Sequence, residues 1–295
     1  MKRLSFYSEI NRNKRQSFIF LIVVFIILII LSYVIALVVG QGYFWIIIII
    51  GTIISLIYVV AGYYKSAEIA IAGVKARKAS KEQYKQYHDI VEGLCLASGM
   101  PKPGLYVMKG EQINAFASGR NPQNAVICVT EGALNKLDKR ELEGVLAHEL
   151  SHIASYDIRF MSLVAVLVGM VAIVSQIFLR SLWFRSFGGN RDQTRTVFLI
   201  IGIALAILAP IVVALVQLAI SRRREYNADA SAVKFIRSPT GLRKALEKIK
   251  HGNKKQPIKV SGALSPLFIS KPSLSKEFFQ THPPIDRRIE RLNRM

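Results

Sequence analysis

The chain has 295 residues, with 40 Lys+Arg against 19 Asp+Glu, a formal net charge of +21, and 52% of its residues hydrophobic. Four stretches, residues 17–39, 43–64, 160–179 and 196–221, contain no charged residue. Each is long enough to cross a bilayer core as a helix, which takes about 20 residues, whereas the remainder is charged as heavily as water-soluble protein. A purely soluble protein and a bare bundle of spans are both excluded: the composition describes a multi-pass membrane protein carrying a substantial soluble domain.

Residues 1–64 read as a short tail and two spans. Lys2, Arg3, Arg12, Lys14 and Arg15 precede the first, while the connector Gly40-Gln41-Gly42 has no charge. The positive-inside bias therefore places the N-terminus in the cytoplasm. The apolar run exceeds a signal-peptide core and no small-residue cleavage site follows it, so it reads as a retained anchor. Ile46–Ile50 would favour strand in water, but in lipid the backbone must pair within its own segment, and helix wins.

Residues 65–98 read as helical up to Gly99-Met100-Pro101. Three short strands follow, Leu105–Met108, Ile113–Ala117 and Ala125–Val129, and are expected to form a small antiparallel sheet. Asp138, with Glu141 three residues on, marks a capping box, and Leu142, Val145 and Leu146 give the helix it opens an apolar face. That helix is expected to run almost straight into the third span. Four crossings return the chain to the cytoplasm, so residues 65–159 and 222–295 share that side. The outer connector 180–195, with Arg180, Arg185, Arg191 and Arg195, runs against the charge rule, but the N-terminal asymmetry usually dominates. Beyond the fourth span, Ser221–Ile236 reads as helix and residues 251–280 as a long loop. Pro284 then opens a short helix with Ile285, Ile289 and Leu292 as its stripe.

Residues 65–159 carry 13 basic and 11 acidic side chains, residues 222–295 carry 18 and 6. The basic second segment reads as a surface facing anionic lipid head groups; no nucleic-acid-binding signature accompanies it, and no such partner is expected. Cys95 and Cys128 lie in apolar runs and are expected to be buried, reduced thiols.

The chemistry sits in His148-Glu149-Leu150-Ser151-His152. At about 100° per residue the two histidines share one helical face, one turn apart. Two imidazoles so placed bind one Zn2+, and Glu149 beside them is placed to take a proton from the attacking water and pass it to the leaving amine. A catalytic zinc usually takes three protein ligands and keeps one position open. After the fourth span, Glu225 and Asp229 are i and i+4 on one face. Glu225 is the candidate third ligand, and Asp229 the candidate acceptor for the far nitrogen of a ligand histidine; the alternative is an acidic face paired with Arg222, Arg223 and Arg224. Two crossings separate residues 152 and 225, so all three ligands lie in one compartment.

At these residues the chain resembles the HtpX family of membrane zinc endopeptidases, more distantly related to the CAAX-processing prenyl proteases. The resemblance covers essentially the whole chain. It implies a gluzincin-type site with one Zn2+ per chain, matching His148, Glu149, His152, Glu225 and Asp229. It further implies that Asn114-Ala115-Phe116-Ala117 is an edge strand that pairs with an extended peptide substrate; an ordinary sheet edge is the alternative. Thr281-His282-Pro283-Pro284 and Arg288 match a downstream segment in which the histidine stabilises the oxyanion and the arginine holds the site together; a helix-capping role for His282 is the alternative.

The expectation is thus a mainly α membrane protein, with four transmembrane helices and a zincin-like α+β catalytic domain bearing a small antiparallel sheet. Residues 1–64 are the tail and first two spans, 65–159 the first part of the catalytic domain, 160–221 the hairpin of spans three and four, and 222–295 the second part. The resemblance implies cleavage of misfolded or damaged membrane proteins on the cytoplasmic side of the cell membrane, and self-cleavage when unrestrained. Two rivals remain: a processing peptidase for a lipidated or small membrane substrate, and a scaffold with a purely structural zinc. An intact Glu149 speaks against the scaffold, since a structural site needs no general base.

Overall fold

The computed structural model describes residues 6–39, 41–167, 202, 222–252 and 283–295. Two long helices open the chain, α1 (Phe6–Val39) and α2 (Phe44–Tyr64), joined by one short turn at Gln41–Tyr43. Both are long and apolar enough to cross a membrane, over Ile10–Ile30 and Phe44–Tyr64. They pack tightly at Gly51, where an added Cβ would sit 2.3 Å from Ser32 Oγ; small residues let helices in lipid approach closely. Phe18, Ile22, Ile26, Ile50 and Ile57 remain exposed, the face such helices turn to lipid. The third expected span begins inside a helix at Asp157–Leu167, and its remainder from residue 168 lies outside the described residues, as does the fourth span apart from residue 202. Residues 253–280 of the expected loop also lie outside them, and its first two residues, His251 and Gly252, instead end a helix.

Residues 65–98 are not one continuous helix. After α3 (Ser66–Gly73), Lys75 adopts a left-handed φ of 52° and Arg77–Lys78 form a two-residue strand, β1, before α4 (Lys85–Ser98) begins. Helical propensity favours a continuation here, but pairing with the neighbouring strand β2 (Gly104–Met108) satisfies the same backbone groups and overrides it. Gly99, at φ 68°, ends α4 with a left-handed cap.

With β3 (Ala115–Gly119) and β4 (Ala125–Thr130) the sheet has the order β1-β2-β4-β3. The expected antiparallel sheet is instead mixed: β1 with β2 and β3 with β4 are antiparallel, but β2 and β4 are parallel. The tight connection through Pro122–Asn124 makes β3 and β4 a hairpin. Its second strand inserts beside β2 running the same way and occupies the centre, which leaves β3 at the edge.

Behind the sheet, α5 (Glu131–Lys136) leads to α6 (Lys139–Ala154). The expected capping box is formed: Asp138 Oδ1 accepts from the Glu141 amide at 2.9 Å, and Glu141 Oε2 accepts from the Asp138 amide at 2.8 Å. Leu142, Val145, Leu146, Leu150 and Ile153 sink into one core with Val107, Ile127 and Val129 of the sheet and with Leu242, Leu246 and Ile249. The last three belong to α9 (Thr240–Gly252), which follows α8 (Arg222–Ile236); α10 (Ile285–Leu292) closes the chain and adds Leu292. Each such side chain fully removed from water contributes roughly 1.5–3 kcal/mol, so α6, surrounded by apolar neighbours, is a rigid platform.

The expected straight run into the third span is also overturned. Between α6 and α7 (Asp157–Leu167) the axis bends by 88°. Tyr156 makes the turn with a left-handed φ of 61°, unusual for a bulky residue. Its ring is held by Lys14, 4.3 Å from the centroid, and by Arg159 at 5.3 Å. Beyond the bend α7 lies against α1, where Phe20, Val24 and Leu28 meet Phe160, Leu163, Val164 and Leu167.

Candidate metal centre

The middle of α6 carries His148, Glu149 and His152, all buried. Spaced one turn apart, the two imidazoles bring their Nε2 atoms to 3.2 Å of each other. Glu225 comes from the first turn of α8, which packs against α6. Its Oε2 lies 3.6 Å from His148 Nε2 and its Oε1 3.6 Å from His152 Nε2. One ligand atom from each of the three residues falls within 4.8 Å of the others. A tetrahedral ion with bonds of about 2.0–2.1 Å keeps its ligand atoms roughly 3.3–3.4 Å apart, close to the spacing found.

Carboxylates stand behind both imidazoles. His148 Nδ1 is 3.0 Å from Asp229 Oδ1, and His152 Nδ1 is 3.3 Å from Asp157 Oδ2. A carboxylate only accepts, so each Nδ1 turns its proton to the carboxylate facing it, and loss of the Nε2 proton on metal binding would leave each Nε2 lone pair facing the common point. Partners of this kind fix the tautomer of metal-ligating histidines. Asp229 lies one helical turn beyond Glu225. Asp157 reaches His152 only because of the bend: five residues on along a straight helix it would lie on another face.

Arg288, on α10, is wholly buried and donates from Nε to Asp229 Oδ2 at 2.9 Å and from Nη2 to Asp229 Oδ1 at 2.6 Å. Its Nη1 is 3.4 Å from Glu225 Oε2. Burial works against this charge, but Asp229, Glu225 and Glu149 outweigh it and keep the guanidinium firmly protonated. For Asp229 burial favours the neutral acid, and the Arg288 charge with the His148 contact overcomes it, holding the carboxyl below its ordinary range. The buried carboxylates of Glu149, Asp157, Glu225 and Asp229 face the buried guanidiniums of Arg224 and Arg288. The negative excess matches a divalent cation, and buried charge has to be neutralised locally. Donor types, spacing and charge together fit Zn2+.

Asn114 directly precedes β3, and Ala115 and Phe116 open it; the strand ends the sheet among the described residues, packs against α6 and is buried along its length. His282 lies outside the described residues, while Pro283 and Pro284 lead into α10. Sequence reasoning missed Asp157, Arg224 and Asn13, which meet beside His152. The sequence marks Asp157 only as an acidic residue just past the histidine-bearing helix, and a straight continuation of that helix would turn it away from His152. Cys95 and Cys128 are both buried free thiols, and burial pushes both thiols above their ordinary range.

Residues 81–295 match the family model described as Peptidase family M48. Over 298 residues the chain is 40% identical to a Protease HtpX homolog of Thermoanaerobacter pseudethanolicus, covering 99% of this chain and 98% of that one. It is 36% identical over 304 residues to a Protease HtpX homolog of Listeria monocytogenes, covering 98% and 99%. Among solved structures, S. mikatae Ste24p is similar at 20% identity with a TM-score of 0.46, over 84% of this chain and 58% of that one. With its match to the family model over residues 81–295, its near-complete overlap with the two HtpX homologs and its two membrane-length helices, the chain belongs to peptidase family M48, as a membrane metalloprotease of the HtpX type.

Proposed function

We propose that this protease is a zinc endopeptidase with one Zn2+ per chain, held by His148, His152 and Glu225, and that it cleaves misfolded or damaged membrane proteins on the cytoplasmic side of the cell membrane. The observation that carries the reading is the convergence of those three ligand atoms within 4.8 Å, with Glu149 in the next position on the same helix. Zinc bound there supplies Lewis acidity, lowering the pKa of water and polarising a peptide carbonyl.

The chain's own residues supply the rest. Glu149 accepts the proton of the attacking water and returns it to the departing nitrogen, splitting the peptide bond into acid and amine. Asp229 and Asp157 hold the imidazoles, and Arg288 keeps Asp229 and Glu225 charged and in place. His282, just before α10, donates to the carbonyl oxygen as negative charge develops on it. Asn114, Ala115 and Phe116, at the start of the strand that ends the sheet, are the segment along which an extended substrate would align, beside α6.

Membrane substrates are supported by the position of the site. The helix bearing both histidines ends at the bend from which α7 runs off along α1, so the donors lie within a few turns of helices apolar enough for lipid. Basic residues before the first span support a cytoplasmic site with both termini on that side, and four crossings in all. On this topology residues 65–159 and 222–295 make one catalytic domain around the shared core, split by the membrane hairpin 160–221. The basic 222–295 segment suits anionic head groups.

The test is purification in detergent with a chelator, followed by cleavage of casein and of a misfolded membrane protein with and without added Zn2+. Restored cleavage of both is expected. Glu149→Gln should bind zinc yet lose about 10²–10⁴-fold in rate. Full activity in that variant would refute the mechanism, and cleavage confined to a prenylated peptide would favour a processing peptidase.

A further inference from the structure

Asn13 stands in the basic stretch Arg12-Asn13-Lys14-Arg15 ahead of the first apolar run, where a polar side chain is ordinarily solvated. Instead it is 2% exposed. Its Nδ2 donates to Asp157 Oδ1 at 2.7 Å and to the Ser155 carbonyl at 2.9 Å. Both partners are acceptors, which settles the orientation of the amide. The other oxygen of Asp157 accepts from Ser155 Oγ at 2.8 Å and faces His152 Nδ1. A continuous path of polar contacts therefore runs from the first membrane helix to a metal ligand.

A second path joins the same points. Arg224, adjacent to the ligand Glu225, places Nε 3.3 Å from Asp157 Oδ1 and donates from Nη2 to Gln16 Oε1 at 3.0 Å. Asn13 and Gln16 are i and i+3, neighbours on one face of α1. The helix is seated by Phe20, whose ring meets Phe160 edge-on with centroids 5.2 Å apart. The chemistry of Asn13 suits the task. As a neutral amide it orients the carboxylate by hydrogen bonding without adding a second cation to the one that Arg224 already supplies.

We propose that Asn13 is a positioning residue of the metal centre: through Asp157 it fixes the His152 imidazole, so that metal affinity depends on how the first membrane helix is seated. The proposal rests on the reading of His148, His152 and Glu225 as metal ligands. It adds that a residue of the membrane anchor, remote in sequence, belongs to their support. An outer partner of a metal-ligating histidine typically contributes 10–100-fold in metal affinity.

The experiment is competition for Zn2+ between the full-length protein in detergent and a chromophoric chelator, with thermal unfolding of the zinc-stripped protein measured in parallel. Asn13→Ala should weaken zinc binding about tenfold or more. Asn13→Asp keeps the shape, loses the donor and repels Asp157, and should weaken it further. Asp157→Asn should have an effect that does not add to that of Asn13→Ala, since both act through one contact. Asn11→Ala, at an exposed position on the same turn, should bind zinc as the wild type does. If Asn13→Ala does not fold, Gln16→Ala, which loosens Arg224 from the same carboxylate, carries the test with a smaller loss. Variants that melt earlier when stripped of zinc yet bind it with wild-type affinity would overturn the proposal and leave the zinc reading standing. A wild-type protein that takes up no zinc would overturn both.

Discussion

Arg288 and Asp229 are joined by two parallel hydrogen bonds, from Nε to Oδ2 and from Nη2 to Oδ1, with both side chains shielded from solvent. This fork bridges α10 to α8 behind the proposed metal ligands, and the same guanidinium reaches Glu225. Removing it strands two carboxylates in the interior. Breaking a buried pair from one side typically costs about 3–5 kcal/mol. Arg288→Ala is therefore expected to lower the stability of zinc-stripped protein by that order, measured by denaturant titration. Arg288→Lys should recover little, because an ammonium cannot reproduce the fork. Added Zn2+ should recover part of the loss, since the ion compensates the same charges. A neutral effect of Arg288→Ala would show that the bridge is incidental.

The protonation of His148 sets a pH signature. Burial and the Arg288 charge oppose its imidazolium form, but hydrogen bonds to Asp229 and Glu225 with the Asp229 charge prevail, raising the pKa from 6.5 to about 9. A pKa raised on folding stabilises the fold fully below the unfolded value, and that contribution is lost as pH climbs through the folded value. Zinc-stripped protein is thus expected to melt at progressively lower temperature between pH 6.5 and 9. Zinc-loaded protein, whose His148 must be neutral to ligate, should lack this slope, and zinc uptake near pH 7.5 should release a proton. Calorimetry in buffers of different ionisation heat reads the proton. Identical melting profiles with and without zinc would contradict it.

The His-Glu-x-x-His spacing was legible because its geometry is local: one helical turn decides it. The first two spans and the Asp138–Glu141 cap were legible for the same reason, each being a pattern within a few turns of chain. The parallel pairing of β2 with β4 was hidden, since it depends on which edge a hairpin inserts beside. Asp157 was hidden too. Its contact with His152 requires the left-handed Tyr156, and nothing in Ser155-Tyr156-Asp157 announces a residue that local sterics disfavour at that φ. Lys14 and Arg159 gather around its ring from elsewhere in the fold, which is how tertiary contacts hold a backbone conformation that local sequence does not choose.

The cap of the ligand helix separates stability from chemistry. Asp138 accepts from the Glu141 amide, and Glu141 also meets Lys248 Nζ at 2.6 Å, tying the start of α6 to α9. Asp138→Ala should cost about 1 kcal/mol, read as a lower denaturation midpoint. Zinc affinity and activity per folded molecule should stay unchanged, because His148 lies nearly three turns away. A loss of zinc affinity matching the loss of stability would mean that fraying at the cap reaches the ligands.

Gly144 tests the opposite coupling. An added Cβ there would meet the Leu242 amide nitrogen at 2.3 Å, and one at Gly241 would meet the Arg140 carbonyl oxygen at 2.2 Å. The α6 and α9 backbones therefore touch where neither residue has a side chain, and the obstacle on each side is main chain, which cannot swing away. Ala is the better helix former by about 1 kcal/mol, so propensity alone predicts that Gly144→Ala stabilises. Forcing the helices apart costs typically 1–3 kcal/mol, and since Leu242 and Leu246 pack against α6 the displacement spreads along the ligand helix. Gly144→Ala is expected to destabilise and also to weaken zinc binding, which chelator competition would read. Gly144→Ala that raises the melting temperature would show that the helices do not approach this closely.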